Sequence, residues 1–390
     1  MFSLLFASGC GQNAGTSRAS RTVELTAMEP GGQDRRHFPL TVGVPFAKGV
    51  LAAGESVAIT DEGGKPQPLQ TRVLERHADG STRWLLLDYQ GDFTPFGANR
   101  STLVLGGKSP EAPAGHRIQT AEQGTTLVVD NGVLKLELER KQCLPLARVW
   151  RAGKLVSSGG MDLWVTAPGG EKFSARDDTT SAFELEEAGP LRLVARWKGT
   201  HTSAGGKRHF DYLVRLAVYA GNPFVRVDHV FFNRLDPDVT EVKEVAARFP
   251  IQLEGPLQYT VGDLYRARLV SDSFKAFEPV RLEQYGLGDM RILGDGGKVL
   301  KGAVTAASGL GKTNSRGWVD ASGASEGVLL AGKNFWQNYP KAISAGPEAF
   351  QCFLIPDRGR PFPVPRGMAK THTFFLYFHA GKQGAVAQSD

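Results

Sequence analysis

The sequence predicts an all-β protein in two parts, a small barrel followed by a large antiparallel β-sandwich. Three observations carry this. The 390 residues include 47 Gly and 22 Pro, a composition that favours many short strands joined by tight turns. Apolar and polar residues alternate in short runs, the period-two mark of half-buried strands. No run of about 18 consecutive apolar residues exists to span a bilayer as a helix, and the one short helix expected lies at Ser273 to Phe277.

Thr22 to Ala27 and Phe38 to Val44 have strand-like composition, and Gly43 to Gly49 breaks it with a turn. Val57 to Thr60 alternates, and Asp61-Glu62-Gly63-Gly64-Lys65-Pro66 then turns the chain into Gln70 to Leu74. Asp79-Gly80 suits a type I′ hairpin feeding Trp84 to Tyr89, and Thr102 to Leu105 closes the block. These short antiparallel strands fit a barrel domain over 21–108. Ser109 to Gly115, rich in Pro, Ala and Gly, is the expected linker.

The sandwich is expected over 116–385. Leu127 to Leu138 reads as a hairpin with Asn131-Gly132 at its turn. Leu191 to Trp197, Phe210 to Tyr219 and Phe224 to Phe232 continue the strand rhythm, the last two joined by Ala220-Gly221-Asn222-Pro223. Further strands are expected at Ala246 to Leu253, Ala303 to Ala306, Gly327 to Leu330, Phe350 to Ile355 and Thr373 to His379.

A mean hydropathy of −0.23 is that of a soluble globular chain, and a net charge of +6 with pI near 9.1 would attract polyanions. No run of five or six Lys/Arg is present, so nucleic acid is not the expected partner, whereas an acidic polysaccharide suits so mild a field. The apolar stretch Met1 to Ala7 runs into Ala7-Ser8-Gly9-Cys10, similar to a bacterial lipoprotein box. Cys10 is then the lipidation site, residues 11–20 the tether, and the protein is exported, meeting a membrane only through that anchor. No Lys or Arg precedes the stretch, and an ordinary disordered N-terminus is the other reading. Cys143 and Cys352 either pair or remain two separate buried thiols.

Two clusters near the end carry sugar-binding chemistry, Phe335-Trp336-Gln337-Asn338-Tyr339-Pro340-Lys341 and Arg366-Gly367-Met368-Ala369-Lys370-Thr371-His372. Trp and Tyr faces stack on pyranose rings, Lys and Arg hold uronate carboxylates, and His or Tyr moves a proton. Tyr339 and Lys341 share a face if the segment is extended, and a bend at Pro340 is the alternative. Alternation puts Val225, Val227, His229 and Phe231 on one face of their strand, with Arg226 and Asp228 paired on the other. His229 is either a hydrogen-bonded core histidine or a base at the sandwich surface. Arg366, Lys370 and His372 are expected on a loop framed by Pro361, Pro363, Pro365 and Gly367, just before a buried strand. His379, seven positions after His372, faces the opposite side of a regular strand. His209, Asp211 and His229 are metal-ligand types, yet nothing in the spacing fixes their distance, so no metal site is assigned. Gly309-Leu310-Gly311-Lys312-Thr313 ends like a phosphate-binding loop, but Ala306 stands where its first glycine belongs.

Phe38 to Phe46 together with Asp79 to Asp88 resembles the N-terminal RIFT barrel of the exo-rhamnogalacturonan lyase-like family. Ala220 to His229, Phe335 to Lys341 and Arg366 to His372 are similar to that family's central β-sandwich. The resemblance runs from about Arg21 to Gly381. Members typically continue into a C-terminal α/α toroid, which this sequence lacks, so the expectation is an incomplete lyase or one half of a split system whose toroid is another chain. The resemblance implies β-elimination on a pectin-type acidic polysaccharide. That chemistry needs neutralisation of a uronate carboxylate, a base for the C5 proton and an acid for the leaving oxygen. Tyr339, Lys341, His372 and His229 are the candidates for proton work, and Trp336, Arg366 and Lys370 for binding. No cofactor is required, although a divalent cation is an alternative means of neutralising the carboxylate. The rival expectations are a non-catalytic surface glycan-binding lipoprotein and an adaptor module with no carbohydrate role.

Overall fold

Leu25, Leu40, Val44, Ile59, Leu85, Leu87 and Leu103 occupy alternate positions of short strands, so their side chains meet on one side and form a common apolar core. In the computed structural model, which describes residues 6–8, 21–262, 273–302 and 314–381, this core belongs to a barrel-like N-terminal domain. One sheet runs Phe6–Ser8, Thr22–Met28, Ala98–Leu105, Val57–Asp61 and Pro66–Gln67, and a second joins Arg35–Pro45, Thr82–Phe93 and Gln70–Arg76. Every strand expected here forms.

The hairpin at Asp79-Gly80 differs from expectation. Only Gly80 takes a positive φ, of 84°, whereas a type I′ turn needs two such residues. Arg76 and Thr82 are the last pair, and His77 N–H donates to the Ser81 carbonyl across a wider turn. Asp79 Oδ1 accepts from the Ser81 N–H and hydroxyl, holding that turn by a local side-chain bond.

The second domain is a sandwich whose 17-stranded sheet folds into two antiparallel layers. In spatial order the first layer is Ala182–Ala188, Arg192–Thr202, Arg208–Tyr219, Phe224–Phe232, Ala369–Ala380, Glu326–Gly332, Trp318–Ser322, Gln258–Gly262 and Ser273–Ala276. The second is Lys172–Ser174, Asp162–Thr166, Glu244–Pro250, Ala349–Ile355, Lys341–Ala345, Val280–Gly286, Asp289–Leu293 and Val299–Lys301. A single pair, Ser174 with Thr202, links the layers. Trp197, Phe210, Phe249, Phe350, Phe374 and Phe378 fill the interior between them. A further five-stranded meander, Gln119 to Ser158, adds Leu127, Leu136, Leu138 and Val149 to the same core.

Ser273–Ala276 is a strand, not the expected helix. Its backbone pairs with Gln258–Gly262, and that ladder outweighs a weak local propensity. Among the described residues the sole helical piece is a 3-10 turn at Asp295–Gly297. Cys10, Ala303 to Ala306 and Gly309 to Thr313 lie outside the described residues. Cys143 and Cys352 are free and buried, the second of the two readings.

The expected linker is packed rather than loose. Ser109 Oγ accepts from Ile59 N–H of the barrel, while Ala112 is buried against Leu191 and Ala220 of the sandwich. Beside it, Gln70 Oε1 accepts from the Leu191 and Arg192 N–H groups and its Nε2 donates to Glu187. Arg192 reaches Asp88 at 3.3 Å and Glu187 at 3.1 Å. Burial pushes the Asp88 carboxyl up, with Glu187 adding to it against Arg192 and Thr41, to about 7.

Candidate functional site

Four of the residues singled out from the sequence converge inside the sandwich. His229 and His372 are direct cross-strand partners, on Phe224–Phe232 and Ala369–Ala380, and both point inward by the alternation that buries Val227, Phe231 and Phe374. Lys341 opens the strand Lys341–Ala345 of the opposite layer, in phase with the inward Ile343 and Ala345. Its Nζ lies 2.7 Å from His372 Nδ1, so one amine bridges the two sheets. Lys370 stands two residues before His372 on the same strand, half-buried.

Removal from water dictates the charge state here, because burying an ion costs more than burying its neutral form. Lys341 is 4% exposed, and burial, reinforced by Lys370 and opposed by Cys352, brings its amine down to about 8. Burial pushes His372 well below its ordinary range, and Lys341, Lys370 and His229 push the same way. A neutral imidazole beside an ammonium accepts at the nearer nitrogen, so Lys341 donates to Nδ1 and the His372 proton sits on Nε2. Burial and His201 likewise keep His229 neutral. His372 Nε2 and both His229 ring nitrogens have no hydrogen-bond partner among the described residues. Phe231 stacks on His372 with centroids 6.0 Å apart and forms part of the apolar wall.

The other candidates lie apart from this cluster. Tyr339 is 46% exposed while Lys341 is buried, so the two do not share a face, and the bend at Pro340 is what the structure contains. Trp336 is half-buried and Phe335 is core. Arg366 is in the turn before the last strand, exposed, with its guanidinium 3.3 Å from the Asp236 carbonyl and no contact to Lys341 among the described residues. Lys370 and His372 lie within that strand instead of on a loop, because pairing with Phe224–Phe232 begins at Ala369. His229 is fully enclosed rather than at the sandwich surface, since its flanking alternate residues are all core. Arg226 and Asp228 form the expected pair, at 3.0 Å, on the other face.

Sequence reasoning missed His201, which meets His229 edge to face at 5.5 Å and donates from Nδ1 to the Phe210 carbonyl. Next to it Tyr212 donates to Asp178, whose carboxylate also receives the Thr200 N–H. Alternation in Arg192–Thr202 marks His201 as inward-facing, and that was the available signal. Among the described residues no three His, Cys, Asp or Glu side chains are grouped to hold a metal ion. His209 instead packs on Phe173 at 4.7 Å.

The cluster can hold an amine that is partly neutral near pH 8 beside a second lysine, an arrangement able to accept a proton. The chain's fold is shared with an alpha-mannosidase from Enterococcus faecalis, at 11% identity and a TM-score of 0.55, over 93% of this chain and 43% of that one. A glycosyl hydrolase family 38 protein from the same species superposes with a TM-score of 0.46 at 11% identity, over 92% of this chain and 44% of that one. An uncharacterised protein of Bacillus subtilis, YetA, is 21% identical over 241 residues, which are 57% of this chain and 26% of YetA. The aligned part therefore spans about a quarter of that relative. Residues 22–89 match the PcRGLX-like N-terminal RIFT barrel domain and residues 118–259 the PcRGLX-like central beta sandwich domain, in that order. With barrel and sandwich both matched and both built as described, the chain belongs to the PcRGLX-like family.

Proposed function

We propose that this chain is the barrel and sandwich part of an exported, carbohydrate-active protein that acts on pectin-type acidic polysaccharide by β-elimination. The observation that carries the reading is the 2.7 Å contact between Lys341 and His372. A lysine brought down to about 8 is in part a free amine at mildly alkaline pH, the state a base for the C5 proton requires. His372 positions that amine, and Lys370 supplies positive charge to the uronate carboxylate. Only 4% of the Lys341 surface reaches solvent, so substrate gains access when the segment from Trp336 to Pro340 yields. In this reading Tyr339, which is exposed, offers its ring face to a sugar as the chain enters.

The same enclosure favours a second reading, a glycan-binding domain without catalysis or the partner of a separate toroid chain. Incubation with rhamnogalacturonan separates them. Growth of the ultraviolet absorbance of unsaturated uronate, lost by about 100-fold or more in Lys341→Met, is the result the lyase reading expects, on the scale of general-base catalysis. Binding without product supports the second reading, and neither binding nor product sinks both.

A further inference from the structure

The outward face of the second layer carries a pocket that the Lys341 cluster does not use. Register places Asp162, Arg248, Gln351, Ser344 and Arg281 in one row across five strands. Trp164, Ala246, Phe353, Ala342 and Glu283 form the next row. Residues in one row of a sheet share a face, and these rows face away from the shared core.

The two arginines are placed differently. Arg281 is fixed: Nε donates to Glu283 at 2.7 Å, Nη1 to Ser344 Oγ at 3.3 Å and Nη2 to Tyr285 at 3.2 Å, and its guanidinium lies 4.2 Å from the Phe353 ring centroid. Arg248, half-buried, has neither hydrogen bond nor ion pair among the described residues, and the Gln351 amide beside it is equally unengaged. Above them opens a pocket of about 410 Å³, floored by Arg248, Gln351 and Ser344 and walled by Pro279 and Pro347, with Asp295 and Glu348 at its lining. That size falls within the range of small-ligand sites, roughly 300–1,000 Å³.

We propose that this pocket binds a sugar acid through its carboxylate. Arg248 offers an unused fork of donors that matches a carboxylate in two-point geometry. Gln351 and the Ser344 hydroxyl add neutral donors, and Asp295 and Glu348 accept from ring hydroxyls. Arg281, already neutralised by Glu283, shapes the wall and orients Ser344. The inference stands on the pocket alone and is independent of any reaction at Lys341.

The test is ligand-observed NMR titration of the full chain with sodium D-galacturonate, D-galactose and inorganic phosphate. Galacturonate is expected to bind at least tenfold more tightly than galactose. Arg248→Gln is expected to weaken galacturonate about tenfold or more with an unchanged thermal midpoint, and Arg226→Ala, on the outer face of the other layer, to leave it unaltered. The proposal is overturned by no galacturonate binding, by equal binding to Arg248→Gln, by an equal loss in Arg226→Ala, or by phosphate binding as tightly as the sugar acid.

Discussion

His372 and His379 lie on the same strand, Ala369–Ala380, and are exposed to the same small extent, 4% and 5%, yet their proton affinities move in opposite directions. Seven positions apart, they face opposite sides of the sheet. His372 looks into the sandwich, where burial and the Lys341, Lys370 and His229 groups all disfavour a second proton. His379 looks outward, and both its nitrogens meet acceptors, Nε2 the Asp320 carboxylate at 2.6 Å and Nδ1 the Ala380 carbonyl at 2.8 Å. Burial pulls His379 down, but the Asp320 bond and charge outweigh it, and the net movement is upward. With burial equal, one imidazole is thus held below its ordinary range and the other above it. The partner decides, and the sequence spacing decides which partner is met.

Breaking the outer pair is the most damaging change. Asp320→Asn leaves a buried imidazole without its counter-charge and weakens the acceptor that Ser322 uses, so urea unfolding at pH 6 is expected to show a loss of about 3–5 kcal/mol. A loss under about 1 kcal/mol would mean that His379 is not charged.

Acid sharpens the comparison next. His201 is held at about 4 in the fold against 6.5 when free, so between those values the unfolded chain binds a proton that the native one refuses. Stability therefore falls as pH drops from 6.5 toward 4, by about 3 kcal/mol for His201 alone, and His229 and His372 act in the same sense. His379 has the reverse sign: its stabilisation is complete below 6.5 and fades as pH rises through its raised value. His229→Leu removes an imidazole with two unpartnered nitrogens and is expected to flatten the acid slope without loss at pH 7. An unchanged slope by urea titration from pH 7 to 4.5 counts against this account.

The smallest effect belongs to Arg226, whose pair with Asp228 lies on the same outer face as His379 but in contact with water. Arg226→Ala is expected to change the thermal unfolding free energy by less than about 1 kcal/mol. A larger loss would show that this face is more enclosed than the His372–His379 contrast requires.

Local pattern made most strands legible. Val225, Val227, His229 and Phe231 alternate so regularly that facing and strand boundaries follow from residue order. The turn at Ala220 to Pro223 was equally readable, with Gly221 at φ 63° where a side chain is disfavoured. The order of strands in the two layers was not, because Lys341 and His372 meet across sheets through contacts between distant parts of the chain. Both were legible as reactive types, and their pairing was not. Ser273 to Ala276 deceived for a related reason, its partner strand being set by tertiary structure. The Arg248 pocket left one trace, alternating Arg281, Glu283 and Tyr285, which marks a polar outward face once the strand is known.

The most direct test is the titration of Lys341 itself, followed by NMR of chain labelled with ¹³C at the lysine ε-carbon and assigned with Lys341→Met. A midpoint near 8, well below the ordinary 10.5, is the result the buried amine predicts. A midpoint near 10.5 would mean that the amine is solvated, and neither the neutral His372 nor a base at Lys341 would stand.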